Sequence, residues 1–180
     1  MVLALLVLSC GSGPQQTESA RAQPSSNTAR NTGRAVFNPA QVSAEVHRTT
    51  MIELRSFIES LNTIIRSEDY SAWTSYLSPS FFTEINSSAF LSRITEELFR
   101  RDQIVASNTG KDPRQVKRRV LNNSMDFFYN VVIPSRSNDR LDDITFVSEN
   151  RVTAYTLDTR GNRLILYDLE KIDNQWKITN

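Results

Sequence analysis

RLILYDLEKIDNQWKIT, residues 163 to 179, is the stretch on which the fold turns. Two apolar-rich runs, Arg163 to Ile172 and Gln175 to Thr179, flank Asp173-Asn174, a pair suited to a two-residue hairpin turn. With that turn Ile172 pairs with Gln175, Lys171 faces Trp176, Glu170 faces Lys177 and Leu169 faces Ile178. Ile165, Tyr167, Leu169, Trp176 and Ile178 are then expected on the buried face, with Glu170 and Lys177 as an opposite-charge pair on the other.

The same texture extends backwards. Runs near Asp143 to Ser148 and Arg151 to Asp158 read as strands, joined at Glu149-Asn150 and at Thr159-Arg160-Gly161-Asn162, which gives an antiparallel meander. At the Thr159 to Asn162 turn two loop lengths are open, and a slip of one residue exchanges Tyr155 and Leu157 with Val152 and Ala154 on the core side.

Before the strands the apolar period is helical. Met51, Leu54, Phe57, Ile58, Leu61, Ile64 and Ile65 recur at three- and four-residue steps and predict a helix from about Ala44 to Ser67. Ser67-Glu68-Asp69 breaks it, and Asp69 suits the N-cap of a short helix carrying Tyr70, Trp73, Tyr76 and Leu77, closed by Pro79. Phe81, Phe82 and Ile85 make a further apolar turn. A serine of Asn86-Ser87-Ser88 caps a helix striped by Phe90, Leu91, Ile94, Leu98 and Phe99. Asp112 and Pro113 suit N-cap and N1 of one more helix, with Val116, Val120 and Leu121 facing inward. The run from Phe127 to Ile133 reads either as the end of a helix or as the start of a strand, with a strand from about Tyr129 favoured, and Pro134 stops either one. Helices first and an antiparallel sheet after them predict an α+β two-layer fold, with N-terminal helices packed on a C-terminal β-meander.

Three features resemble the nuclear-transport-factor-two-like, or polyketide-cyclase-like, cone fold: the run from Glu68 to Ser78, the strand-turn-strand series, and the closing Lys171 to Ile178 with its Trp-x-Ile ending. The resemblance covers about residues 45 to 180 and implies a pocket between helices and sheet. Some members use that pocket for isomerase or dehydratase chemistry, and many use it only for binding or assembly, so the fold does not decide function. Aromatic side chains available to line it are Tyr70, Trp73, Tyr76, Phe82, Phe127, Phe128, Tyr155, Tyr167 and Trp176. Asp168 is a possible pocket acid, although the hairpin register places it opposite the buried face.

The chain has 180 residues, with 21 Lys and Arg against 20 Asp and Glu, a formal net charge of +1. No global field draws in nucleic acid, and none is expected as a partner. The single cysteine, Cys10, and single histidine, His47, leave no internal disulfide and no Cys/His metal cluster, so no metal and no cofactor is expected. Scarce glycine excludes a Walker loop and a dinucleotide fingerprint. Lys111, Arg114, Lys117, Arg118 and Arg119 are the one basic concentration. On the expected helix Arg114, Lys117 and Arg118 share a face that suits anionic lipid or an acidic partner.

Val2 to Leu8 is apolar but spans only about 10 Å as a helix, too short to cross a bilayer. Val7-Leu8-Ser9-Cys10 behind it resembles the bacterial lipobox, in which the cysteine thiol takes a diacylglyceryl group and becomes the mature N-terminus. Residues 1 to 10 then form a lipoprotein signal peptide and lipobox. Residues 11 to 44, rich in Gly, Ser, Thr, Asn, Gln and Pro, form a disordered polar linker with a reach of about 30 Å. Residues 45 to 180 form one domain. The expectation is a lipid-anchored protein of the bacterial cell envelope, outside the cytoplasm, with a non-enzymatic domain that binds an envelope protein or a small apolar ligand. An isomerase- or dehydratase-like enzyme using a pocket carboxylate and tyrosine is the alternative, and an accessory subunit of an envelope complex is a third.

Overall fold

The computed structural model describes residues 37 to 180; Cys10, the leader and most of the linker lie outside the described residues. Structure begins earlier than the apolar period suggests. Phe37 and Val42, assigned above to the linker, pack against the core on either side of a 3-10 turn, Pro39–Gln41.

Helix α1, Ala44–Arg66, starts where Ser43 Oγ accepts from Val46 N at 3.2 Å, and it buries Met51, Leu54, Ile58, Leu61 and Ile65. Glu68 adopts a positive φ of 56° and ends it. Asp69 then accepts from Ala72 N at 2.9 Å and caps α2, Tyr70–Ser75, which buries Trp73. Pro79 does not close α2 but opens α3, Pro79–Ile85, behind the cap Ser78. At that position its missing N–H has no partner to lose. Ser87 caps the long α4, Ser88–Asn108, which buries Phe90, Leu91 and Leu98.

Two expectations fail between Pro113 and Arg136. The helix after Pro113 is a single 3-10 turn, Pro113–Gln115, followed by extended chain. Side chains lay this chain along α4: Leu121 N donates to Thr95 Oγ1 at 3.1 Å, Arg119 pairs with Asp102 at 2.6 Å, and Arg118 pairs with Glu96. Leu121 is buried, whereas Val120 is exposed. The strand expected from Tyr129 is helical instead. Asn123 caps α5, Ser124–Phe127, which runs through a π-helical segment, Phe128–Val132, into α6, Ile133–Arg136. The Ile133 N–H reaches back to Phe128 O, so Pro134 falls in the first turn of α6, where a proline is tolerated.

Strands β1 (Asp143–Ser148), β2 (Arg151–Leu157), β3 (Arg163–Ile172) and β4 (Gln175–Ile178) form an antiparallel meander in sequence order. The final hairpin has the register read from sequence, with Asp173 and Asn174 both at positive φ. Val152 and Ala154, not Tyr155 and Leu157, face the core. A bulge makes Ala154 pair with Tyr167 but Tyr155 with Ile165, so Leu166 and Tyr167 are both buried. That extra residue turns Ile165 outward, 63% exposed, against the expectation of burial. Trp176 is half-buried at the margin of the helix-facing side, where its Nε1 donates to Glu53 of α1 at 3.0 Å. Glu170 and Lys177 are cross-strand neighbours but form no ion pair. Glu170 lies 3.9 Å from Arg151, and Lys177 Nζ donates to Ser75 O at 2.6 Å.

The chain is therefore α+β, helices on one face of the sheet, with a core drawn from both layers. The second edge of β4 is closed by Leu77, through Ser78 N to Ile178 O and Ile178 N to Tyr76 O, both 2.8 Å.

Candidate functional site

Helices and sheet enclose a cavity of about 220 Å³ walled by Trp73, Phe81, Phe90, Phe127, Leu166 and Tyr167, with Leu77, Ile94, Val132 and Ile178 completing its apolar surface. Its polar members are Arg93, Arg136 and Asn180. The π-helical segment explains part of this lining. One residue more per turn puts Phe127, Val132 and Arg136, five and four residues apart, on one face. An uninterrupted α-helix would have set Val131 below Phe127 instead.

A polar cluster backs the cavity. Tyr167 Oη donates to Asp139 Oδ2 at 2.5 Å, and Arg136 Nη1 lies 3.7 Å from the same oxygen. The Arg136 guanidinium carbon also stands 5.1 Å from the Tyr167 ring centroid. Asn62 of α1 holds the backbone of Asp139 from both sides, Nδ2 to its carbonyl at 2.8 Å and Oδ1 from its N–H at 3.2 Å. Burial pushes the Asp139 carboxyl above the usual range, against the Tyr167 hydrogen bond and the Arg136 charge, which pull it down. Burial, then the charge and hydrogen bond of Asp139, push the Tyr167 hydroxyl well above its ordinary value. Tyr167 is therefore a neutral donor whose proton is already committed to Asp139, which itself lies behind the wall rather than in it.

The nine aromatic candidates separate. Trp73, Phe127 and Tyr167 line the cavity. Tyr70 and Phe82 border an open groove on the outside of α3 with Asn86, Asn123, Ser124 and Met125, where Tyr70 Oη and Ser124 Oγ lie 2.5 Å apart. Tyr76 and Trp176 line a surface recess with Phe57. Phe128 is fully buried against Trp73 and Tyr70, and Tyr155 lies on the outer sheet face beneath Arg163. Asp168 is on that outer face too, accepting from Thr153 Oγ1 at 2.6 Å. Sequence reading did not nominate Phe81, Phe90, Leu166 or Asn180 for the pocket, nor the charged Arg93, Arg136 and the adjoining Asp139. The apolar residues were legible only as core, and Arg136 is placed by a π segment that no apolar period announces.

The basic stretch has no helix to give it a face. Arg114 pairs with Asp112 at 3.1 Å and Arg118 with Glu96, while Lys111 and Lys117 make no ion pair among the described residues. The outer sheet face leaves Val147, Leu157 and Ile165 exposed. No cluster of three metal-ligating side chains occurs among the described residues, and no helix there is long and apolar enough to cross a membrane.

The chain is 28% identical over 144 residues to an uncharacterized lipoprotein of Treponema pallidum (strain Nichols), an overlap of 80% of this chain and 68% of that protein. No family model matches the chain, and no solved structure matches it.

Proposed function

We propose that the chain is a lipoprotein of the bacterial envelope, anchored through Cys10 behind a leader of residues 1 to 10 and a polar tether, and that its domain binds a small apolar ligand without chemistry. The cavity carries the binding half of this reading, since its volume exceeds the ~150 Å³ of apolar cavities that accept benzene. Pockets of this kind are mostly apolar with a few placed polar groups, as here. The lipobox-like Val7-Leu8-Ser9-Cys10 and the lipoprotein relative support the anchor. A pocket between helices and sheet also agrees with a divergent nuclear-transport-factor-two-like cone. Attraction to anionic lipid through Arg114, Lys117 and Arg118 belongs to the same proposal, carried most by Lys117, which has no acidic partner among the described residues.

The enzymatic alternative has one observation in its favour, Asp139 beside the Tyr167 hydroxyl. The Tyr167 hydroxyl is already bonded to Asp139 and that carboxyl is not in the cavity lining, so binding is the better reading. The exposed Val147, Leu157 and Ile165 favour a subunit contact, as an addition to the cavity rather than a replacement for it.

Native mass spectrometry of the protein extracted from its own membranes tests both halves. The expected result is a diacylglyceryl mass on Cys10 and a non-covalent small molecule retained by the folded chain. An unmodified thiol overturns the anchor, and failure of any eight-carbon apolar probe to alter Trp73 fluorescence overturns the ligand.

A further inference from the structure

We infer that the cavity takes an amphiphile with an anionic oxygen head, its apolar body among Trp73, Phe127 and Leu166 and its head on the guanidiniums of Arg93 and Arg136. This rests on the apolar-ligand reading and narrows it. The lining contains two arginines and no Asp, Glu or Lys; the acids that approach them, Glu97 and Asp139, lie outside it.

Both guanidiniums stand at the cavity rather than merely near it. The Arg93 guanidinium carbon is 5.0 Å from the Phe90 ring centroid and that of Arg136 is 5.1 Å from the Tyr167 ring centroid, and both rings are wall residues. Guanidiniums held beside rings keep their planar fork of donors available for a carboxylate or a phosphate. Each fork has five N–H donors. Arg93 spends one, on Glu97 at 3.3 Å in exposed surroundings. Arg136 makes no hydrogen bond within the described residues, only a 3.7 Å approach to Asp139, whose Oδ2 already receives the Tyr167 hydroxyl. Glu97 and Asp139 themselves lie outside the cavity lining. The side chains of Arg93 and Arg136, 55% and 36% exposed, reach water, so a head bound there stays partly hydrated while its tail lies against the apolar wall. A neutral apolar ligand would leave those donors to water and gain nothing from them.

The same head chemistry belongs to free fatty acids and to phosphorylated lipids, and matched probes separate the sources. The full chain carrying Cys10→Ser, which has no acyl group of its own, and Trp176→Phe, which leaves Trp73 as its one tryptophan, is titrated at low salt with octanoate, octyl phosphate and octan-1-ol, with Trp73 fluorescence and calorimetry as readouts. Both anions should bind at least about tenfold more tightly than the alcohol. Arg93→Gln changes an exposed side chain on α4; it should cut the ratio of anion to octanol affinity at least about threefold, and the Arg93→Gln/Arg136→Gln pair should bring that ratio to about one. Octyl phosphate above octanoate assigns a phospholipid head, and the reverse order assigns a fatty acid. Equal affinity for octanoate and octanol, or a preference that survives the double substitution, overturns the anionic head while leaving the apolar-ligand reading in place. No binding of any probe overturns that reading itself.

Discussion

Each face of the sheet carries an arginine, a tyrosine and an aspartate in contact, and the two sets have opposite characters. On the outer face Arg163 is 2.9 Å from Asp143 and 4.0 Å above the Tyr155 ring, with both charged side chains more than 40% exposed. On the inner face the Arg136 to Asp139 distance is 3.7 Å and the Arg136 to Tyr167 ring distance 5.1 Å, but the Asp139 side chain is only 11% exposed. The outer set is the tighter by distance. The inner set matters more to stability, because withdrawal from water makes a buried carboxylate costly to leave without its donor, whereas water replaces any partner lost outside. Ion-pair length and burial therefore rank the two sites in opposite orders, and burial is the physical ground for expecting the inner set to matter more.

The largest test of that ranking is Tyr167→Phe. It removes the one hydroxyl that serves Asp139 and leaves the aromatic volume, so it should destabilise the protein by roughly 2 kcal/mol, in the range for hydrogen bonds to charged groups. The Tyr155→Phe control should stay within about 0.5 kcal/mol, as surface changes do. Equal losses in chemical denaturation would mean that Asp139 finds water in place of Tyr167, and the two faces would then be alike.

A smaller effect, distinctive in sign, concerns pH. Burial raises the Asp139 carboxyl above its ordinary 3.8, so the folded state holds this proton more tightly than the unfolded chain does. The contribution of Asp139 to stability is full below about pH 4 and is lost as pH rises through its raised folded value. Glu53 runs the other way. Hydrogen bonds from Lys171 and then Trp176 lower its pKa, so its contribution is present above the ordinary 4.5 and is lost as pH falls through the lowered value. Asp139→Asn keeps an acceptor for Tyr167 and removes the ionisation. Its stability relative to the parent should therefore rise as pH goes from 4 to 7. A difference that is flat with pH would show that burial does not perturb the Asp139 carboxyl.

The same two faces mark what was legible in the sequence. The hairpin from Arg163 to Ile178 could be read because its determinants are local: alternation, two residues that tolerate positive φ, and a register that follows from the turn. Its misplaced core residue, Ile165, comes from the bulge at Leu166, where adjacent Leu166 and Tyr167 both enter the core and no residue type announces the extra position; the expected Glu170–Lys177 ion pair also fails, because other partners claim both side chains. The cavity was half legible. Trp73, Phe127 and Tyr167 were nominated by being aromatic, but Phe127 to Ile133 reads equally as strand or helix. The Asn123 cap is local, but the burial of Phe128 and Val132 is a tertiary fact, and the two together go with the helix. Arg136 reaches the cavity only through the π turn. The basic stretch from Lys111 to Arg119 failed for a related reason: Glu96 and Asp102, on a helix earlier in the chain, claim two of its arginines and hold it extended.

The smallest effect belongs to the outer face and uses Arg163. Its side chain bridges Asp143 and Thr145 Oγ1 of β1, each at 2.9 Å, and covers Tyr155 of β2, so it spans three strands on the solvent side. Such a geometry suggests a clasp, yet every partner is hydrated and the charges see an effective dielectric close to that of water. Arg163→Ala should therefore cost less than about 1 kcal/mol, and much of that should be lost stacking on Tyr155 rather than lost charge. Salt separates the two contributions. At about 1 M salt the screening length is roughly 3 Å, so the ionic share vanishes and the stacking share stays. Arg163→Met keeps most of the apolar stem and should recover the stacking share alone, leaving a deficit at low salt that closes at high salt. A loss above about 2 kcal/mol that is insensitive to salt would show the outer set to be as desolvated as the inner one. Something would then have to cover Val147, Leu157 and Ile165 beside it, and a second protein seated on this face would become the reading to test.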